Sequence, residues 1–316
     1  MKTIGFYEFS LGERGTTVAV FDYAYYNQTI LGNKSIIIYN KDEHDPSNSD
    51  VLEKFKKHFE VYGINTLKEL DDVLLKHNAD ICYIIKSGHI DDILSSVAKN
   101  CIHCVFNCQE PHGDVYAGIS PLLPGQNYPV VPHMINLPDH NRNMRQELGI
   151  PENALVYGRH GGYEQFNIGY VHKIVYNVAK HNPEIYFLFV NTRPFCDPLP
   201  NIIHLPKIID LDKKVEFINT CDAMLWASFE GETFGLAIGE FSVKNKPVIC
   251  TNKDILFGGF VDILRDKAIW YDKDNLEFLL TSIIREELPK YDWNAHKEYT
   301  PENVMKIFDE VFIQSK

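Results

Sequence analysis

Short apolar runs alternate with runs of helical spacing along the whole chain. In the first half, apolar runs predict strands at residues 3–7, 35–39, 61–64, 81–85 and 103–107. Helical spacing between them predicts helices at residues 16–31, 51–59, 67–77 and 91–99. Such alternation is typical of a parallel sheet with helices on both faces. The sequence therefore predicts an α/β fold.

The second half of the chain repeats this plan. Predicted strands lie at residues 154–158, 186–190, 202–205, 223–226, 248–251 and 268–271, and predicted helices at residues 142–148, 170–181, 213–220, 276–287 and 301–313. Because 316 residues exceed the usual size of one hydrophobic core, we expect two domains. The prediction is two Rossmann-like, doubly wound domains that face a central cleft, at residues 1–135 and 136–316. The last helix is a candidate to pack back on the first domain.

The charge and hydropathy of the chain narrow the classes of partner. The formal net charge is -12, which argues against nucleic acid or an anionic membrane surface as the main partner. The sequence has no apolar run as long as the ~20 residues of a membrane span, and its first residues run directly into a predicted strand. We therefore expect no integral membrane segment and a cytoplasmic protein. A small-molecule substrate fits this charge better.

The seven cysteines form an odd set, which favours reduced thiols. Cys101, Cys104 and Cys108 lie near His103 and His112 in the sequence, and thiolates with imidazoles bind zinc. The run lacks a second Cys-x2-Cys pair and is typical of a buried strand, where free cysteine is common. We therefore interpret these cysteines and His103 as core residues.

The most specific motif lies at residues 226–252, where the pattern predicts a strand, a glycine-containing loop, a helix and a second strand. If the helix begins near Thr233, the free amides of residues 234–236 form an anion site, because the helix dipole is positive there. Glu232 and Glu240 then lie up to ~12 Å apart at ~1.5 Å per residue. Two carboxylates on either side of an anion site suit a nucleotide sugar, which has hydroxyls at both ends and a diphosphate between them.

These residues resemble the retaining glycosyltransferases of family 4, which have the GT-B fold. The stretch Glu232-Thr-Phe-Gly-Leu-Ala-Ile-Gly-Glu240 is similar to the Glu-x7-Glu helix of that family. Residues 144–159 are similar to the helix and first strand that open its nucleotide-binding domain. The resemblance is specific over residues 130–316 and architectural over residues 1–129. It implies transfer of a sugar from a nucleoside diphosphate sugar to a hydroxyl acceptor, such as a glycan, a glycolipid or a protein-linked sugar.

The resemblance implies roles for the matching residues. Glu232 would bind hydroxyls of the donor sugar, and Glu240 would bind the ribose hydroxyls. Arg159 would stabilise the leaving diphosphate with its planar guanidinium group. The amides that would bind the diphosphate belong to Phe234, Gly235 and Leu236.

The resemblance also exposes a departure. The family has a lysine a few residues after the arginine, which this chain lacks, and His160 or Lys173 are the candidates to replace it. His112, after the fifth strand, would contact the transferring sugar. Gly12 is a further candidate because doubly wound folds bind ligands after the first strand, although a short glycine loop also serves a turn by itself. We expect the nucleobase near Lys207.

Two Asp-x-Asp pairs, at residues 210–212 and 272–274, have the pattern that holds a divalent metal in other glycosyltransferases. Both precede predicted helices, where Asp is favoured as an N-cap. We therefore expect no metal cofactor, so that the helix amides and Arg159 must stabilise the leaving diphosphate. Two alternatives stay open. One is a nucleotide-sugar-binding module with weak or no turnover, and the other is a nucleotide-sugar epimerase of the same fold.

Overall fold

The computed structural model of the protein describes residues 1–12 and 14–315. It divides into two compact units. The first comprises Met1–Met134 and the carboxyl-terminal residues from Glu298 onward, and the second comprises Ile135–Lys297. Glu13, in the glycine loop after the first strand, and Lys316, the end of the predicted second domain, lie outside the described residues.

The first unit is built on a parallel sheet that is doubly wound. Its described strands are β1 (Thr3–Glu8), β2 (Lys34–Asn40), β3 (Glu60–Ile64), β4 (Ile81–Lys86), β5 (Lys99–Cys104) and β6 (Val115–Gly118). The described helices between them are α1 (Gly15–Thr29), α2 (Ser49–Lys56) and α3 (Leu67–Lys76). The strand order is β3-β2-β1-β4-β5-β6. Strands that are covered on both faces are continuously apolar, as the buried run Ile36, Ile37 and Ile38 shows.

The second unit has a sheet of the same kind. Its described strands are β7 (Leu155–Arg159), β8 (Ile185–Val190), β9 (Ile202–Leu205), β10 (Ala223–Leu225), β11 (Gly231–Glu232), β12 (Val248–Cys250), β13 (Phe257–Gly258) and β14 (Ala268–Trp270). The described helices are α4 (Gly169–His181), α5 (Leu211–Thr220), α6 (Leu236–Val243), α7 (Gly259–Leu264) and α8 (Leu276–Ser282). The main sheet has the order β14-β12-β10-β7-β8-β9, and β11 pairs with β13 separately.

The chain ends with α9 (Pro301–Phe308), which continues into one π-helical turn at Asp309–Ile313. Phe308 stacks on Tyr23 with ring centroids 5.2 Å apart, and Phe312 meets Tyr83 edge-on at 5.4 Å. This aromatic cluster buries the last helix in the first unit. Among the helices of residues 1–12 and 14–315, none combines the length and apolar character that crossing a membrane requires.

The helix predicted at residues 91–99 is wrong. This segment is irregular, and β5 starts at Lys99 and ends at Cys104, earlier than the predicted strand at residues 103–107. Side-chain hydrogen bonds hold the irregular backbone, since Ser95 Oγ donates to Asp71 at 2.8 Å and Ser95 N donates to Asn100 Oδ1 at 2.7 Å. Such bonds compete with the helical ladder.

The helix predicted at residues 142–148 is also wrong, because the segment forms turns instead. Its backbone is held by distant partners, as Met144 N donates to Thr220 Oγ1 at 2.7 Å.

The interpretation of His103 as a core residue is confirmed, since it is fully buried. Its Nε2 donates to the carbonyl of Val131 at 2.8 Å, and its Nδ1 accepts from Tyr83 at 2.6 Å. The predicted reduced thiols are free in the structure, and Cys101, Cys104 and Cys108 are buried.

Candidate functional site

The carboxyl ends of the strands in the second unit meet at one edge of the sheet, because the strands are parallel. β8 and β9 lie on one side of β7, and β10, β12 and β14 lie on the other. The strand order therefore reverses between β7 and β10, and ligands bind open α/β sheets at such a switch point. β7 ends at Arg159, and the segment after β10 leads to Glu232. Both predicted site residues follow the strands that flank the switch point.

Arg159 is buried, with 3 % of its surface exposed. Its guanidinium group donates to Thr192 Oγ1 at 2.6 Å, to the carbonyl of Gly162 at 2.8 Å and to the carbonyl of Asn191 at 3.3 Å. These acceptors fix the planar group, which has five N–H donors in all. Burial lowers the pKa of Arg159 to about 10, and Glu232 opposes that shift. The side chain is therefore positively charged at neutral pH.

Glu232 is partly buried and lies in β11, which Gly231 opens. Gly231 has a φ of +73°, and a Cβ there would lie 1.9 Å from the carbonyl oxygen of Phe257. The close approach of β11 to β13 therefore requires glycine. Burial raises the pKa of Glu232 to about 7, although Trp226 and Arg159 favour the ionised form. Carboxyl groups with such perturbed pKa values concentrate at functional sites.

The helix after Glu232 begins later than predicted. Gly235 has a left-handed backbone, with a φ of +85°, and caps α6. The first helical hydrogen bond joins Gly239 N to Gly235 O at 2.9 Å. The amides of the first turn, which have no carbonyl partner within a helix, thus belong to residues 236–238 and not 234–236. Because β11 is extended, the chain needs the turn at Gly235 before a helix can start, and Phe234 is buried before that turn.

Glu240 is buried in the second turn of α6, with 6 % of its surface exposed. Its Oε1 accepts a hydrogen bond from Lys214 Nζ at 2.7 Å, and its Oε2 lies 2.9 Å from His160 Nε2. Burial alone would raise the pKa of Glu240, but Lys214 and His160 lower it to about 2. Burial lowers the pKa of His160. A carboxylate and an ammonium group are therefore paired inside the unit at neutral pH.

These side chains form a charged row, which we define as Glu232, Arg159, His160, Glu240 and Lys214. Arg159 acts on the pKa of Glu232 at one end, and Lys214 acts on that of Glu240 at the other. Arg159, on the Glu232 side, and His160, on the Glu240 side, are consecutive in the sequence and so connect the two ends of the row. Carboxylates thus alternate with cationic or imidazole groups along the edge of the sheet.

Lys214 is the member of the charged row that the sequence did not reveal. It lies on α5, whose buried residues include Phe217 and Ile218. Residues three and four apart share one face of a helix. The spacing between Lys214 and these two residues was the available signal, since it places a lysine on the buried face.

His112 lies in the first unit, after β5. Its Nδ1 donates to the carbonyl of Glu110 at 2.7 Å, so its Nε2 accepts from Lys86 Nζ at 2.9 Å. Lys86 also forms an ion pair with Asp91. The imidazole is therefore fixed in one tautomer and orientation, and its contact with a sugar stays a prediction. In the same unit, Gly12 is buried and its N–H donates to a threonine hydroxyl at 3.3 Å.

The other candidates lie outside the charged row. Lys173 is exposed on α4, and Lys207 is partly buried between β9 and α5. Asp210 caps α5, because its Oδ1 accepts from Lys213 N at 2.9 Å. Asp272 accepts from the backbone of the turn that precedes α8, with Asn275 N at 3.2 Å. The interpretation of Asp210 as an N-cap is confirmed.

Solved structures share this fold at low sequence identity. A glycosyltransferase from Rickettsia africae ESF-5 is similar with a TM-score of 0.70 and 16% identity, over 99% of this chain and 99% of that chain. Anabaena Alr3699/HepE, solved in complex with UDP-glucose, is similar with a TM-score of 0.66 and 14% identity, over 99% of this chain and 96% of that chain.

A third similar structure belongs to a Listeria monocytogenes protein assigned as a UDP-N-acetylglucosamine 2-epimerase. Its TM-score is 0.60 at 12% identity, over 100% of this chain and 98% of that chain. The sequence matches no protein-family model, and no curated protein matches it either. At these identities the likeness shows the fold. The predicted fold class, α/β of the GT-B type with two Rossmann-like sheets, is confirmed.

Proposed function

We propose that this chain is a retaining, metal-independent glycosyltransferase that moves a sugar from a nucleoside diphosphate sugar to a hydroxyl acceptor. One observation carries the proposal: Arg159 ends β7, and Glu232 and the first turn of α6 follow β10, so that both strands flanking the switch point lead to these groups, and Arg159 acts on the pKa of Glu232. Similar folds belong to glycosyltransferases, and one of them was solved with UDP-glucose. The acceptor in this proposal is a glycan, a glycolipid or a protein-linked sugar.

The positive groups of the site suit a diphosphate. Arg159 keeps its charge at neutral pH although it is buried, and its acceptors hold the guanidinium group in place before any ligand arrives. The free amides at residues 236–238 add the positive end of a helix dipole. Preorganised donors of this kind stabilise charge that develops on a leaving group. The chain therefore has its own groups for this task.

Glu232 suits the sugar. Its carboxyl group precedes the amides of α6 in the sequence, and Arg159 favours its ionised form, so a diphosphate on the amides would bring the attached sugar towards it. As a carboxylate it accepts hydrogen bonds from hydroxyls. In the proposed mechanism, a departing phosphate oxygen takes the proton of the acceptor hydroxyl as the glycosidic bond forms on the same face of the sugar. No side chain acts as a nucleophile.

The test begins with UDP-glucose, the ligand of the Anabaena structure. The protein is incubated with UDP-glucose and a panel of saccharide acceptors, and released UDP is measured with and without EDTA. We expect acceptor-dependent release that EDTA leaves unchanged and that Glu232→Gln lowers by roughly 100-fold, as loss of one transition-state contact does. Glu164→Gln is the matched control, because that side chain is exposed. The anomeric proton coupling of the product reports retention, and inversion would contradict the mechanism.

An epimerase is the second candidate, because the Listeria structure shares the fold. The two activities differ in their products. A transferase makes a new glycosidic bond and releases a nucleoside diphosphate, whereas an epimerase changes the configuration of the sugar. Mass spectrometry and proton NMR of the same incubation separate them. Nucleotide-sugar binding with neither product would instead indicate a binding module.

A further inference from the structure

Glu240 has a nitrogen-bearing side chain beside each of its carboxylate oxygens, and only Oε1 accepts a hydrogen bond. Lys214 Nζ lies 2.7 Å from Oε1, and His160 Nε2 lies 2.9 Å from Oε2. A carboxylate has about four lone-pair sites. One cation or imidazole on each oxygen therefore leaves room for one further hydrogen bond at each oxygen, which is the number that two neighbouring hydroxyls of a ribose require.

The partners of Glu240 are themselves held by packing. His160 stacks on Phe241, with ring centroids 5.9 Å apart and an interplanar angle of 23°, and meets Phe217 edge-on at 5.8 Å. Lys214 lies at the end of the first turn of α5, and its backbone N–H donates to the carbonyl of Asp210 at 3.0 Å. The carboxylate thus lies between two groups that belong to a strand end and a second helix.

Lys214 lies away from the proposed diphosphate site. Its partner Glu240 is four residues beyond Leu236, the first residue of α6, which corresponds to ~6 Å along the helix axis. The ammonium group is bound to this carboxylate in the second turn, while the free amides are in the first. Its position therefore fits the nucleoside end of the ligand, and it does not replace the lysine that the phosphate site lacks.

We propose that Lys214 is a positioning residue that orients Glu240 for the two ribose hydroxyls of the donor, which rests on the proposed function. Removing the ammonium group frees Oε1, so the carboxylate loses one of the two contacts that fix its plane. Glu240 then binds the hydroxyls poorly, while contacts to the diphosphate are untouched. The loss of affinity is specific to ligands that carry the ribose hydroxyls.

The experiment measures nucleotide affinity by isothermal titration calorimetry. Wild-type protein is titrated with UDP, GDP, ADP and CDP, and the tightest binder is compared with its 2′,3′-dideoxy analogue. We expect the wild type to prefer the ribose form by about tenfold or more, because two hydrogen bonds to a charged group are involved. Lys214→Met should weaken the ribose form about tenfold and leave the dideoxy form unchanged. Lys213→Met is the control, since the Lys213 side chain, next to Lys214 in the sequence, is 57% exposed.

The outcomes separate the inference from the proposed function. If no nucleoside diphosphate binds the wild type, the proposed function fails. If the wild type prefers ribose and Lys214→Met weakens both forms equally, Lys214 contacts the phosphates or the fold, and the inference is overturned. An unchanged preference in Lys214→Met overturns it as well.

A second comparison guards against misfolding of the single variant, which leaves a buried carboxylate with one partner. The double variant Lys214→Met with Glu240→Gln removes both charges of the pair, and Glu240→Gln alone removes only the carboxylate. If Lys214 acts through Glu240, the two should bind the ribose form with equal affinity, because coupled residues are not additive. A further loss in the double variant contradicts the positioning role.

Discussion

Glu232→Gln removes a carboxyl group whose ionised form is disfavoured in the folded protein. Burial raises the pKa of Glu232 from 4.5 to about 7, and one pKa unit corresponds to ~1.4 kcal/mol. Because the folded state binds this proton more tightly than the unfolded state, wild-type stability falls as the pH rises from 4.5 through 7. The loss above pH 7 is at most about 3 kcal/mol, since the side chain is partly exposed.

The assay is urea unfolding of wild type and Glu232→Gln at intervals from pH 5 to pH 8.5. Glutamine does not titrate, so the variant should gain stability relative to wild type by up to about 3 kcal/mol over this range. Glu164→Gln is the control, because its exposed side chain lies on the surface of the same unit, and its difference from wild type should stay flat. The prediction is contradicted if the difference in unfolding free energy between Glu232→Gln and wild type is constant with pH, or if it shifts in favour of wild type at high pH.

Three further substitutions test other parts of the second unit. Because the pKa of Glu240 is lowered to about 2, its carboxylate stabilises the folded state above pH 4.5, and this stabilisation is lost towards pH 2. In urea unfolding, the stability advantage of wild type over Glu240→Gln should therefore shrink by about 2 kcal/mol from pH 7 to pH 3. Gly239→Ala places a Cβ 2.8 Å from Ile135 Cδ1 and should lower the unfolding free energy by about 1–3 kcal/mol, whereas Gly169→Ala, with open space around it, should not. Asp222→Asn breaks an ion pair with the buried Arg145 at 2.9 Å and should cost about 3–5 kcal/mol in the same measurement.

The strands were predictable because buried strands of a parallel sheet have continuous apolar runs in the sequence. Residues 35–39 were predicted as a strand, and β2 spans Lys34–Asn40. The three consecutive isoleucines in it are all buried, as expected for a strand of a sheet that is covered on both faces. The segment at residues 91–99 was not predictable in this way. Its structure depends on Asp71, which accepts from Ser95 and Ser96 across 24 and 25 positions of sequence.

The site was predictable where its residues follow strand ends. Glu232 was predicted from the loop and helix motif that contains it and Arg159 from the family resemblance, and both lie where the carboxyl ends of parallel strands meet at one edge. The start of α6 was missed because it depends on the pairing of β11 with β13, which fixes the chain before Gly235 turns. Lys214 was missed for the same kind of reason, because its partner lies 26 residues away on another helix. Local patterns do not contain such pairings.

The two carboxylates of the charged row lie in opposite electrostatic environments. At Glu240 the attraction of Lys214 and His160 exceeds the effect of burial and lowers the pKa, whereas at Glu232 burial exceeds the effect of Trp226 and Arg159 and raises it. The pH trends expected for the two glutamine variants are therefore opposite in sign. It follows that the charge of Glu240 is compensated by the protein itself, while the Glu232 end gains most from donors that a ligand brings, as hydroxyls of a bound sugar would.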